Sequence, residues 1–360
     1  MTRQWHLREY KEGDERDILD LYKLVFGVEM SLEHWLWKYK RNPAGQPFII
    51  LAEAEQGIVG HFALLPRLMK VGDNASLGSL SVDTMVHPEY RCQGMHVIMG
   101  RETCELAARR GSVIAYGFSN QLSHRNATTK IGFTSSYGGG IPLWIKPLDF
   151  ETVLRKHFTN NTLLAKLGSK TAQLGMKLFY RSSKTRPTCS IKELSSFDER
   201  FDSLWDKFSK SYDIMVTRNR AYLTWRYLEK PSDEYRIFVA ERGEKLVGAI
   251  VVKCAEQVDF MIGFIMDMLS TPEEPEAGKE LISAAVDHFA ARQIDMAGCL
   301  MLPGAAYSRN LKGMGFVKAP KSLLPQEMYL DVNNLVPQYQ KASFVNPKNW
   351  FVTWGDHDVV

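Results

Sequence analysis

Ser79-Leu80-Ser81-Val82-Asp83-Thr84-Met85-Val86-His87-Pro88-Glu89-Tyr90-Arg91-Cys92-Gln93-Gly94-Met95-His96 is the stretch whose reading decides how this chain folds. Ser79 to Val86 reads as a strand, and Pro88 ends it because proline cannot donate to a sheet ladder. Gly94 lets a ligand approach the main chain where any Cβ would intrude. The amides of Arg91 to His96 open a helix without intrahelical acceptors, so an anion placed there meets several donors and the positive helix end. The helical pattern runs to about Arg110, with Met95, Ile98, Met99 and Leu106 on one face. A second apolar run, Val113 to Phe118, leads to Ser119-Asn120, a polar helical stretch and Ile131-Gly132-Phe133. Strand, anion-holding turn, helix and strand make a βαβ-like unit.

Val82 to Phe133 resembles the acetyl-CoA-binding core of the GNAT superfamily of N-acetyltransferases. The resemblance rests on Val86-His87-Pro88-Glu89-Tyr90-Arg91-Cys92-Gln93-Gly94-Met95, on Gly117-Phe118-Ser119-Asn120 and on Ile131-Gly132-Phe133. It implies a mixed α/β sheet, acetyl-CoA as acyl donor and no metal. The pyrophosphate would be held by Arg91, Cys92, Gln93, Gly94, Met95 and His96, and the pantetheine by Met85 and Val86, with Asn120 and Ser123 on its arm. Two positions depart from the family pattern. His96 replaces the last small residue of the loop, and Thr128 stands where many members place the tyrosine that protonates the departing thiolate, which leaves the general acid unassigned.

The second part of the chain echoes the first. Trp37, Tyr39 and Pro43 recur as Trp225, Tyr227 and Pro231, Ala52-Glu53 as Ala240-Glu241 and Val59-Gly60 as Val247-Gly248, all at an offset of 188 residues. Asp14-Glu15-Arg16 returns as Asp198-Glu199-Arg200, and Gly132-Phe133 as Gly315-Phe316. These echoes predict tandem α/β domains of one fold: residues 1–148 binding the donor, a helical connector over 149–189, and a second copy over 190–360. Hairpins are expected over Phe48–Ala54 with Ile58–Leu65, and over Ile237–Glu241 with Leu246–Lys253. The second copy's loop, Ser270-Thr271-Pro272-Glu273-Glu274-Pro275-Glu276, carries carboxylates and no arginine, so a pyrophosphate would be repelled there. That copy reads as a degenerate GNAT fold.

With 360 residues the chain has room for two such domains, and a net charge of +4 is too mild for a nucleic-acid binder. The polar N-terminus carries no secretory pattern and no stretch is apolar enough to span a membrane. Cys92, Cys104, Cys189, Cys254 and Cys299 lack metal spacing and are odd in number, which fits a reducing cytoplasm. Nothing in the sequence sets an oligomeric state.

Asp83 is a strand carboxylate among apolar neighbours, either paired or functional, and the resemblance makes it a base for the acceptor ammonium. His87, His96 and His124 sit in the core unit and any of them could relay a proton, His87 being carried forward as a catalytic candidate; capping or surface roles are commoner for lone histidines. Asn120 and Ser123 equally suit a helix N-cap. Trp35 is the aromatic residue expected to face an acceptor, whereas Trp37 and Tyr39 recur in the second copy and read as packing. The apolar end of the chain, Asn349 to Val360, should be docked. Asp356, His357, Asp358 or the Val360 carboxylate could then act as base, as in some two-domain relatives; a segment covering a sheet edge is the plainer reading, and Asp358 is carried forward as the catalytic candidate. The expected activity is transfer of an acetyl group to a primary amine of a small molecule, with an amino sugar as leading acceptor. A Fem-like aminoacyl transferase and a non-catalytic acyl-CoA sensor are the alternatives.

Overall fold

Strand β1 (Trp5–Glu9) lies beside β2 (Phe48–Ala54), and helices α1 (Glu15–Phe26) and α2 (Leu32–Tyr39) occupy the connection between them. Gly27, left-handed at φ 73°, stops α1, and the Ser31 hydroxyl accepts the His34 N–H (3.1 Å) to start α2. β2, β3 (Gly57–Val71) and β4 (Asn74–Val86) form an antiparallel meander, after which α3 (Met95–Arg109) crosses to β5 (Ser112–Ser119), parallel to β4. The computed structural model describes residues 4–157, 187–257, 259–271, 273–302, 307–321, 324, 326–336 and 344–358. Helix α4 (Gln121–Asn126), β6 (Thr134–Ser135), β7 (Leu143–Pro147) and α5 (Phe150–His157) follow; the rest of the expected helical connector, 158–186, lies outside the described residues.

The second copy repeats the plan with β8 (Ser190–Leu194), α6 (Arg200–Phe208), β9 (Ile214–Val216), α7 (Arg220–Tyr227), β10 (Tyr235–Arg242), β11 (Lys245–Gln257), β12 (Phe260–Ser270), α8 (Pro275–Ala291), β13 (Met296–Leu300), α9 (Tyr307–Gly313) and β14 (Val317–Lys318), and then adds β15 (Tyr329–Asn334). Both expected hairpins form, each longer than the sequence suggests. β3 continues to Val71 because its far end gains a partner in β9, Met69 to Val71 pairing with Val216 to Ile214.

Among the described residues the first sheet runs β1-β2-β3-β4-β5-β15-β6, and the second runs β14-β7-β13-β12-β11-β10-β8. The halves therefore exchange strands. β15, late in the chain, inserts between β5 and β6, and β7, early in the chain, inserts between β13 and β14. A division at 148 follows the chain but not the sheets, since each sheet takes its penultimate strand from the other half.

A pseudo-twofold axis passes through the aromatic repeat. The Trp37 and Trp225 rings stack at 4.9 Å and 17°, and each indole N–H donates to the other residue's carbonyl, at 2.8 and 3.1 Å. Buried indoles whose N–H groups are satisfied stabilise a core, so the repetition of this tryptophan reflects packing. The same pairing recurs at the sheet edges, where Arg8 meets Glu53 (2.6 Å) and Lys192 meets Glu241 (2.5 Å).

The end of the chain is docked, with Trp350 to His357 buried. Trp350 bridges to Ile214 and the Phe351 N–H donates to the Ile214 carbonyl (3.0 Å), so part of the segment does cover the β9 edge. Its anchor is Arg218, fully buried, which donates to Asp267 (3.0 Å) and Asp356 (2.7 Å). Burial alone would lower the guanidinium pKa, but the two carboxylates outweigh it and raise it well above its ordinary value. Removing one member of such a cluster strands charge in the core. Arg218→Met is expected to cost ~3–5 kcal/mol of unfolding free energy and to expose the tail tryptophans, read by denaturant titration with fluorescence; a loss below ~1 kcal/mol would show that the carboxylates find other partners.

Candidate active site

β4 and β5 stay paired only from Leu77/Ser112 to Ser81/Gly117. Beyond that point β4 runs on to Val86 and β5 to Ser119 with no bond between them, which opens a slot in the sheet. A cavity of about 50 Å³ occupies it, lined among others by Phe62, Ser81, Thr84, His96, Gly117 and Ser123. At the mouth of the slot the His87 N–H donates to the Val59 carbonyl (2.8 Å), and a short 3₁₀ turn, Pro88–Tyr90, leads into the α3 N-terminus. Arg91, Cys92, Gln93 and Gly94 are exposed there. Cys92 (φ 62°) and Gly94 (φ 75°) are left-handed, which curls the backbone so that successive N–H groups face one side.

Met95 is buried and offers only its backbone to this turn; its sulfur would lie 2.6 Å from a Cβ at Gly60, so the small residue at 60 lets α3 lie close on the sheet. Gln93 accepts the Trp5 indole N–H (3.2 Å). His96 packs on Phe62 at 5.7 Å, and burial lowers its pKa. Met85 is in the core. The Asn120 carboxamide accepts the Ser123 N–H (2.9 Å), so the N-cap reading of this residue is realised.

On the opposite face of the sheet stands Asp83. It is left-handed at φ 45° inside a bulge, where the β3–β4 register shifts between His61 and Ala63. Its carbonyl meets His61 Nδ1 (2.7 Å), and its carboxylate accepts from Lys38 Nζ (2.8 Å) and the Tyr39 hydroxyl (2.5 Å). Lys38 also donates to Asp358 at 2.8 Å. Two of the three expected catalytic residues, Asp83 and Asp358, are thus brought together over one ammonium. His87 is not with them: its Nδ1 accepts the Glu89 N–H (3.3 Å) and its ring faces Tyr90.

The expectation for Trp35 is corrected. It is 1% exposed, stacked on Tyr39 at 4.9 Å, and has no face to offer an acceptor. Positions 35 and 39 lie one turn apart on α2, so the stripe that sends Tyr39 inward takes Trp35 with it.

Lys38 and Tyr39 were missed as site residues: Tyr39 recurs in the second copy and reads as packing, and nothing local marks Lys38, between two aromatic residues, as a partner of Asp83. The second copy shows what is distinctive about them. There Asp267 stands at the matching bulge, between Val251 and Val252 of the partner strand, and accepts from Tyr227 (3.1 Å) as Asp83 does from Tyr39. Asp267 also accepts from Arg218 and from the Thr353 hydroxyl (3.2 Å), and is wholly enclosed by the tail. In the second copy the cleft is filled by the chain's own end. In the first, Asp83 keeps 10% of its side chain exposed and Asp358 keeps 18%.

Burial alone would lower the Lys38 pKa, but Asp358 and Asp83 outweigh it and hold the ammonium above its ordinary value. Burial raises the Tyr39 phenol, and Asp83 adds to the shift. Asp358 is pulled below its ordinary value because Lys38 outweighs the burial that would raise it.

Residues 6–138 match the family model described as the acetyltransferase (GNAT) domain. The whole chain has the fold of a GCN5-related N-acetyltransferase from Anabaena variabilis (TM-score 0.64, 13% identity, 92% of this chain and 73% of that one). It is similar to the same degree to a probable N-acyltransferase from Enterococcus faecalis (TM-score 0.63, 10% identity, 92% and 73%). It also resembles Saccharomyces cerevisiae N-myristoyltransferase with bound myristoyl-CoA (TM-score 0.58, 11% identity, 93% and 80%). No curated protein sequence matches the chain. Residues 6–138 thus match a GNAT acetyltransferase domain, and the chain as a whole has the fold of tandem GNAT-like sheets.

The signs of the shifts set a pH window. Asp358, depressed when folded, stabilises tail docking above the ordinary carboxylate range of about 4 and loses this as pH falls further. Lys38, raised when folded, contributes throughout neutral pH. Lys38→Met leaves two neighbouring carboxylates without their cation, so the protection of the Phe351 to His357 amides, relative to their intrinsic exchange rates and to the parent, should fall at pH 7 and recover toward pH 5, where a shared proton relieves the repulsion. Protection equal to the parent's at both pH values would show that Arg218, with Arg226 on the Gly355 and His357 carbonyls, holds the tail without Lys38.

Proposed function

We propose that this protein transfers an acetyl group from acetyl-CoA to a primary amine of a small molecule, using the first copy only. The observation that carries this reading is the slot beyond Ser81 and Gly117, ending at the exposed N–H turn of Arg91 to Gly94. An extended pantetheine fits an unpaired strand edge as an added strand would, from Met85 and Val86 toward the Asn120 and Ser123 turn, and the pyrophosphate reaches the donors from Arg91 to His96. In the second copy the corresponding loop holds Glu273 and Glu274, the latter bound by Arg242 (2.8 Å), so the donor is excluded there by charge. In this reading residues 1–148 bind the donor, 149–189 connect, and 190–360 supply the second copy with β15 and the tail.

The amine enters from the α2 side. Asp83 and Asp358 outnumber Lys38, so the cleft suits a cationic acceptor, and Asp83 takes its proton within a cluster positioned by Lys38, Tyr39 and Asp358. A backbone N–H of the unpaired β4 edge polarises the thioester carbonyl, and the amine attacks directly. Holding both substrates in line supplies much of the acceleration. The five cysteines are unpaired, which suits a reducing cytoplasm.

Calorimetry should find one acetyl-CoA site per chain, abolished by Gly94→Glu, which adds bulk and negative charge at a left-handed turn; a second site, or binding that survives this change, would overturn the assignment. Asp83→Asn should lower turnover by roughly a hundredfold, with acetyl-CoA affinity unchanged, in a thiol-release screen of amines that begins with amino sugars. An equal loss of donor affinity would instead give Asp83 a purely structural role.

A further inference from the structure

Of the nine large apolar side chains exposed among the described residues, four gather in one place. Leu24, Phe26, Val28 and Leu32, each between 46% and 56% exposed, fall within the nine residues that end α1 and begin α2. Single exposed apolar residues are ordinary, but a cluster of them marks a surface that something covers. This segment leads to the Asp83 cluster along two elements. On α1 the half-buried Tyr22 stacks on Phe26 at 4.7 Å. Burial raises the Tyr22 phenol pKa, and the charges of Asp83 and Asp358 add to the shift against Lys38, so the phenol stands within electrostatic reach of both carboxylates. On α2, Leu32 begins the stripe that carries Trp35 and Tyr39, and the Tyr39 hydroxyl donates to Asp83 (2.5 Å).

The second copy shows what such a place takes. Its connection between α6 and α7, residues 209–219, is also apolar, but there Ile214, Met215 and Val216 are at most 2% exposed. They are covered by β3 and by the Trp350 and Phe351 segment of the tail. At the aspartate that matches Asp83, the Arg218 guanidinium lies on Asp267 (3.0 Å) with the Phe351 ring 5.3 Å away. A cation on the aspartate and an apolar body on the helix connection thus fill that cleft from within the chain. In the first copy Asp83 and Asp358 are partly open and outnumber Lys38, and the apolar segment beside them stays in solvent.

We propose that the acceptor is a primary amine on an apolar body, an arylalkyl or alkyl amine, with its ammonium directed to Asp83 and its apolar part packed on Phe26, Val28 and Leu32; this rests on the acetyl-transfer reading above. The two features select together. The carboxylates favour the cation, and a ring or hydrocarbon chain on the segment takes apolar surface of both partners out of water. An amino sugar would bring hydroxyls to the same surface, where they lose water without gaining hydrogen bonds. Phe26, Val28 and Leu32 touch no reacting atom in this arrangement; they set specificity.

The test is thiol release from acetyl-CoA by the full chain with 2-phenylethylamine, hexylamine and glucosamine, with acetyl-CoA affinity measured by calorimetry. The two apolar amines should exceed glucosamine in kcat/KM by about a hundredfold. Phe26→Ser should raise KM for 2-phenylethylamine about tenfold and keep kcat and acetyl-CoA affinity within about twofold, because the lost contact is equal in ground and transition states. Val28→Ser should act in the same direction, and since both side chains are exposed, both variants keep the fold. Val317→Ser removes a similarly exposed apolar side chain from β14 of the second sheet and should change nothing. Faster release with glucosamine than with either apolar amine, no release with the apolar amines, or an unchanged KM in both segment variants would overturn this inference and leave acetyl transfer standing. A dimer of the full chain that Phe26→Ser dissociates in sedimentation velocity would also overturn it, giving the segment to a second copy. Failure to bind acetyl-CoA would overturn the transfer reading together with this one.

Discussion

The buried guanidinium of Arg218, held between Asp267 and Asp356, is the constraint on which the arrangement of this protein depends. It ties three distant segments, the residues before α7, the bulge of β12 and the chain's last described residues, inside the buried core. An ion cluster of this kind adds little over an apolar core of equal volume, but it tolerates only one arrangement of its members. Arg226 extends the fixation, donating to the Gly355 and His357 carbonyls at 3.2 and 2.9 Å. Once Trp354 to His357 are held in this way, Asp358 has little freedom, and its carboxylate reaches Lys38.

The two sheets show how one plan serves two ends. Each carries an aspartate at a bulge with a tyrosine hydroxyl on it, Tyr39 on Asp83 and Tyr227 on Asp267. In the second sheet the carboxylate is consumed by Arg218 and Thr353 and the cleft is closed by the tail. In the first, the carboxylate faces an ammonium that a second carboxylate shares, and the site stays partly open. Closing one cleft with the segment that completes the other makes the halves interdependent, as does the exchange of β7 and β15.

Much of the fold was legible because its signals are local. Pro88, Gly94 and the apolar face of Met95, Met99 and Leu106 depend on neighbours within a few residues, and they mark the strand end, the turn and the helix. The tryptophan repeat disclosed a second copy at a distance, because packing about a pseudo-twofold axis requires like residues at like positions. The strand exchange had no such signal. β7 and β15 are short runs with nothing that names a partner strand, and which sheet accepts them is decided by which edge is left unpaired. Trp35 failed as a site residue for a related reason: a helix period shows which residues share a face but not whether that face looks at a core or a cleft.

The sequence by itself determined the class of fold and the place of the turn between β4 and α3, since each follows from backbone chemistry along a short stretch. Only the tertiary structure decided that Lys38, Asp83 and Asp358 share one cluster and that His124 meets Asp331. Those pairs are separated by 45 residues between Lys38 and Asp83, 320 between Lys38 and Asp358, and 207 between His124 and Asp331. Nothing local links their side chains. They meet because a buried charge must find its counter-charge and an unpaired strand edge must find a strand, and both requirements are met across the interface between the two halves.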